Sequence, residues 1–220
     1  MEKIFVVGSA GHALVVEDII AKEQRFNVVG LLDPFRTPGT VISGYPVLGG
    51  QADIPRLSAD MGVRHTVIAI GDNWDRYSVY REVAASCPQI TFPTSIHPSA
   101  QIGKNVSIGE GSVVMPGAIV NNGAEIGRFC IVNTAASIDH ECHIGDFASI
   151  APGATLGGKV AIGAYSAISL GAKIVHKISI GDHVVVGAGA LVLGDLTDQV
   201  LAYGSPARPI RNRKIGERYI

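Results

Sequence analysis

The sequence has 220 residues, 47% hydrophobic and 17% charged, which fits a globular core in one large or two small domains and excludes a disordered chain. A formal net charge of −1, with a basic cluster only in "RPIRNRKIGER", argues against a nucleic-acid partner. The apolar run near the start, Ile4 to Val7, is too short for a leader or a membrane span, so a cytoplasmic protein with no membrane partner is expected, and three cysteines without metal-ligand spacing read as buried free thiols.

"KIFVVG", Lys3 to Gly8, reads as a buried strand. The next segment, "GHALVVEDIIAKEQ", reads as an amphipathic helix, and "NVVGLLD" as a second strand. "HTVIAIGDN", His65 to Asn73, is another strand that leads into the helical "WDRYSVYREVAAS". The pattern is that of a small βαβ domain with a parallel sheet over residues 1–92, and Pro93 and Pro98 mark its end.

Three strand ends of this domain gather polar residues. The turn "GSAGH", Gly8 to His12, presents backbone N–H groups and a helix dipole to a phosphate or polar ligand, or serves only as a tight turn. It lacks the full dinucleotide pattern G-x-G-x-x-G, because Ala10 and Ala13 stand at glycine positions, so a nicotinamide cofactor is disfavoured and a smaller nucleotide allowed. Asp33 ends the second strand, placed to meet a ribose hydroxyl or to cap the turn before Pro34. Gly71, Asp72 and Asn73 end a later strand on the same carboxyl edge.

From Ile96 the period changes to six. An aliphatic residue recurs at every sixth position from Ile96 to Val192, seventeen in succession, and four places after each comes a mostly small residue such as Ala118, Cys130, Ala136 or Cys142. Positions i and i+4 share a strand face, so both columns point inward, while Gly, Asn or Asp at i+1 suits the corners. The expected fold is a triangular parallel β-helix over residues 93–220, with a C-terminal tail, three hexads per coil and a height of about 27 Å. Flat walls of this kind are usually covered by association of three copies, so a trimer is expected.

"SIDHECHIG", Ser137 to Gly145, interrupts the repeat. In register, Ile138 points inward, Asp139 is at the corner, and His140 points outward from the wall. Its column reads Lys104, Asn122, His140, Gly158, His176 and Gly194, so Gly158 leaves a notch one coil high above His140. A histidine beside Glu141 suits a general base, although an isolated pair of this kind is ordinarily a solvated one. A zinc site from His143, His176 and His183 across a trimer wall is a second possibility, without local ligand pairs to support it.

The whole chain resembles the sugar O- and N-acyltransferases of the sialic-acid acetyltransferase type in the hexapeptide-repeat superfamily. The resemblance rests on "GSAGHA", "LLDPF", "GYPVLG", "IAIGDN", "SIHPSA", "VNTAASIDHECHIGDFASIAPGA" and "GSPARPIR", in that order. It implies a left-handed β-helix, a homotrimer with active sites between adjacent subunits, acetyl-CoA along the groove between prisms, and a nucleotide-activated amino sugar on the Rossmann-like N-terminal domain. By the same resemblance His140 is the base and Glu141 raises its basicity. The resemblance places Ser9, Ala10, Gly11, His12, Asp33 and Asn133 on the sugar nucleotide and Ser149, Leu170 and Ala188 on acetyl-CoA; Gly71 and Asn73, from their strand end, are expected on the sugar nucleotide too, and Gly158, at its notch, on acetyl-CoA. No metal is implied. Two departures stand out: some relatives carry histidine where this chain has Ser149, and Pro34 follows Asp33 where a second polar residue may stand. The implied activity is acetyl-CoA-dependent N-acetylation of a UDP-4-amino sugar for surface glycans. Alternatives are O-acetylation of a sialic-acid-type sugar, a zinc-dependent hydration enzyme on the same fold, or a non-catalytic sugar-nucleotide sensor.

Overall fold

The apolar run at the start extends into the first strand of a five-stranded sheet, and the hexad repeat coils into a prism against it. The computed structural model describes residues 1–219. In chain order the N-terminal domain comprises β1 (Glu2–Val7), α1 (Gly11–Glu23), β2 (Phe26–Leu32), β3 (Val41–Ile42), β4 (Tyr45–Gly49), α2 (Ile54–Met61), β5 (His65–Ile68) and α3 (Asn73–Ser86). The sheet order is β3-β4-β2-β1-β5, with β1 parallel to both β2 and β5. One edge departs from the all-parallel expectation: β3 and β4 form an antiparallel hairpin, and β4 then joins β2 in parallel. Its first strand has only two residues and Pro46 interrupts the second, so neither carries a periodic signal.

Seventeen two-residue strands follow, β6 (Ser95–Ile96) through β22 (Leu191–Val192), each pairing in parallel with the strand one coil away. They form the three walls of a left-handed parallel β-helix. Wall 1 starts at Ser95–Ile96, wall 2 at Gln101–Ile102 and wall 3 at Ser107–Ile108. The two inward columns are buried throughout the middle coils, with Ala136, Ile138, Cys142 and Ile144 at 1% exposure or less. A hairpin of β23 (Val200–Gly204) and β24 (Ala207–Asn212) closes the top of wall 1.

The corners differ from the sequence reading. From Asn105 to Gly189 each is a two-residue turn at i+2 and i+3, and the i+3 residue is left-handed even where it is Phe129 (φ 53°), Glu141 (φ 55°) or Lys159 (φ 62°). The frequent glycine at i+1 has another cause: at Gly145 a Cβ would lie 2.6 Å from Ala164 N of the next coil, so glycine permits close stacking rather than the bend.

The N-terminal domain is fused to the prism. Outward residues Val113, Met115 and Ile131 of wall 1 pack in the same core as Ile19 and Ile20 of α1. At the corner between walls 3 and 1, Phe129, Phe147, Tyr165 and His183 stack on successive coils with centroid spacings of 5.0, 5.5 and 4.7 Å. Tyr77 and Tyr80 of α3 pack on this ladder edge-on or tilted.

Candidate active site

The first two strand ends meet as expected. Ser9 donates its hydroxyl proton to Asp33, and Phe35 N donates to the other carboxylate oxygen at 2.9 Å. Ala10 and Gly11 lie exposed at the start of α1, which has no capping side chain to occupy its first N–H groups. Gly8 adopts φ +111°, and a Cβ there would lie 2.8 Å from Ala69 O at the end of β5; only glycine brings these strand ends so close. His12, in the first turn of α1, presents a buried Nε2 with no hydrogen-bond partner. Burial, and then the charge of Arg76, lower its pKa to about 4, so the ring is neutral near pH 7.

His12 borders a cavity of about 420 Å³ between the two domains. Its walls include Gly71 from the third strand end, Asn133, Ser149, Leu170 and Ala188 from the prism, and Tyr219 from the tail. Six residues expected on the two ligands therefore share one cavity: His12, Gly71 and Asn133 with Ser149, Leu170 and Ala188. Leu170 is 57% exposed at its mouth, whereas Ser149 is 7% exposed in its depth.

Asn73, expected on the sugar nucleotide, is used differently. It is 2% exposed, donates from Nδ2 to Tyr165 O and Ser166 O at 3.1 Å each, and accepts at Oδ1 from Ser149 Oγ (2.5 Å), Arg76 Nη2 (2.8 Å) and Tyr219 OH (3.1 Å). No capacity is left for a ligand, and its place is the joint between domains. Arg76 completes that joint. At 1% exposure its guanidinium donates to Phe129 O (2.8 Å), Phe147 O (3.0 Å), Ile70 O (2.9 Å) and Gly71 O (3.0 Å). A charge buried without a carboxylate is held here by carbonyl dipoles from both domains. The sequence pattern revealed neither Arg76 nor Tyr219.

His140 and Glu141 form the two-residue turn between walls 2 and 3, so they project from a corner rather than from a wall. His140 Nδ1 lies 3.0 Å from Glu141 Oε2, and Lys159 Nζ lies 3.5 Å from the same oxygen. The bond to His140, then the charge of Lys159, hold the Glu141 carboxyl below its usual range. With the Nδ1 proton on Glu141, Nε2 carries the free lone pair. The notch at Gly158 is where this ring lies: a Cβ there would stand 2.7 Å from His140 Cε1. Gly158, expected on acetyl-CoA, therefore lies at the His140 corner and does not border the cavity around Ser149. That cavity opens on wall 1 and the corner between walls 1 and 2, so one chain carries His140 and the cavity on different edges of its prism.

The family model described as "PglD N-terminal domain" matches residues 3–83. Perosamine N-acetyltransferase from Caulobacter crescentus, solved with CoA and GDP-perosamine, is 32% identical over 96% of this chain and 98% of its own, with a TM-score of 0.88. The chain belongs to the PglD-type sugar N-acetyltransferases. Within this family, the acetyltransferase domain of PglB from Neisseria gonorrhoeae, solved with acetyl coenzyme A, is 36% identical over 95% of this chain and 99% of its own, with a TM-score of 0.87. UDP-N-acetylbacillosamine N-acetyltransferase of Bacillus subtilis is 34% identical over 119 residues, a match that spans 52% of each protein.

Two cysteines and two further histidines of the prism are engaged within the fold. Cys130 lies in the inward column with its thiol pushed up to about 12 by burial, and burial raises that of Cys142 as well, so neither is a ready thiolate. His143 faces Glu125 at 3.2 Å on wall 3, while His183 stacks on Tyr165 at another corner. Among the described residues, no group of three or more His, Cys, Asp or Glu is arranged to hold a metal ion, and no helix is long and apolar enough to cross a membrane.

Proposed function

We propose that this protein is a cytoplasmic acetyl-CoA-dependent N-acetyltransferase that acylates the amino group of a nucleotide-linked amino-dideoxy sugar, a UDP-4-amino sugar first among the candidates. The observation that carries this reading is the shared cavity of His12, Gly71, Asn133, Ser149, Leu170 and Ala188, in a chain matched almost end to end by a relative that binds CoA and GDP-perosamine. Ser9, Ala10, Gly11 and Asp33 border the nucleotide side, with free N–H groups at the start of α1 for phosphate oxygens. Neutral His12 and the side chain of Asn133 meet the sugar end, and Ser149, Leu170 and Ala188 line the pantetheine path.

In this reading the working unit is a homotrimer. The His140 corner of one copy enters the cavity of its neighbour, bringing together residues that a single chain keeps apart. The sugar amine attacks the thioester carbonyl, a C–N bond forms, and the proton passes to Nε2 of His140. Backbone N–H groups of the groove stabilise the oxyanion; the C–S bond then breaks, and the proton returns to the departing CoA thiolate. Glu141 fixes the imidazole tautomer and stabilises its protonated form.

Release of CoA thiol, followed with UDP-, GDP- and dTDP-linked 4-amino sugars, tests the reading. At least one amino sugar should turn over, and His140→Ala should lower kcat by about 10²–10⁴-fold. Turnover confined to hydroxyl acceptors, or full activity in His140→Ala, would overturn it.

A further inference from the structure

The tail after the hairpin takes no part in the mechanism above, yet its Tyr219 borders the site. Arg211 pairs with Glu217 at 2.5 Å, and Arg218 pairs with Asp75 of α3 at 2.8 Å. Gly216 adopts φ +77°, and a Cβ there would lie 2.9 Å from Trp74 Nε1, so a glycine lets the tail lie flat on α3. These contacts deliver Tyr219, whose backbone N points to Asp72 Oδ2 at 3.4 Å and whose hydroxyl lies 3.0 Å from Gly71 O and 3.1 Å from Asn73 Oδ1. Its ring borders the 420 Å³ cavity directly.

The hydrogen bonds define what Tyr219 does there. Ser149 has one hydroxyl proton and donates it to Asn73 Oδ1, so toward the cavity Ser149 is an acceptor only. Asn73 Oδ1 is held by Arg76 from below and, from the cavity side, by the single Tyr219 hydroxyl proton, which it shares with Gly71 O. An acceptor fixed in a mostly apolar groove suits an amide N–H, and the pantetheine arm of CoA carries two. We propose that Tyr219 is a positioning residue for the acyl donor: it holds the Asn73–Ser149 pair so that Ser149 accepts from a pantetheine amide, and its ring closes the cavity beside that arm. The proposal rests on the acetyltransferase reading and extends it to the tail.

The test measures CoA affinity by titration calorimetry alongside steady-state kinetics. Tyr219→Ala should weaken CoA binding and raise the KM for acetyl-CoA about tenfold, while kcat stays within about twofold and the KM for the sugar is unchanged. Tyr219→Phe, which keeps the ring, should lose only about threefold, the scale of one neutral hydrogen bond. In a Ser149→Ala background the Tyr219→Phe loss should vanish, because the tyrosine acts through the serine. Additive losses, an equal loss toward the sugar, or a lowered Tm with unchanged CoA affinity would overturn the proposal. Wild-type protein that binds no CoA would instead sink the acetyltransferase reading on which it rests.

Discussion

Single residues in this protein are tuned by where the backbone leaves them. Glu141 is exposed, yet its bonds to His140 and Lys159 keep it ionised, so Glu141→Gln should retain the fold and lower kcat about tenfold, less than loss of the base. His12 behaves in the opposite way, with burial and Arg76 lowering its pKa from 6.5 to about 4. Between those values the unfolded chain holds a proton that the folded chain does not, so stability falls as pH drops through the window. His12→Gln should flatten that acid limb, seen as a smaller difference in Tm between about pH 5 and about pH 7.5. The hexad register located His140 and Gly158 in one column from sequence alone, because a strict period fixes which residues stack. Arg76 was out of reach: its carbonyl partners Phe129 and Phe147 lie 53 and 71 residues away, and nothing near Arg76 in the chain announces them.

Among the elements, the corner ladder and the tail make the clearest demands. Phe147 is 3% exposed and stacks between Phe129 and Tyr165 while Tyr77 meets its edge. Phe147→Ala should destabilise by about 3–5 kcal/mol, read from the midpoint of a urea transition, because it opens a cavity at the domain joint. Gly216→Ala should lift the tail from Trp74 and weaken CoA binding in the same sense as Tyr219→Ala, although Gly216 does not border the large cavity. Legibility at this scale followed length and repetition. The seventeen prism strands keep a strict period and α1 and α3 are 13 and 14 residues long, whereas the β3–β4 hairpin and the eight-residue α2 are short single elements. The corner was misplaced by one to two positions because Phe129 and Glu141 occupy left-handed turns that local preference assigns to glycine or asparagine. Coil stacking overrides that preference.

At the scale of the whole molecule, the separation of the His140 corner from the cavity is the decisive arrangement. If catalysis needs both, a trimer assembled from His140→Ala chains and Tyr219→Ala, Ser149→Ala chains should, at acetyl-CoA concentrations below KM, exceed the average activity of the two parents, because some interfaces pair an intact corner with an intact cavity. Mixed assemblies no more active than the average of the parents would place the complete site within one chain.

The unbroken repeat sets one more constraint. Cross-coil partners such as His143 and Glu125 stand 18 residues apart, and three hexads complete one circuit. Adding or deleting a single hexad before Ser137 would preserve every buried column and still turn His140 by a third of a revolution, onto a different edge of the prism. Changes in length between the N-terminal domain and His140 are therefore quantised: only whole circuits leave its edge in place, and even those shift it along the axis relative to His12.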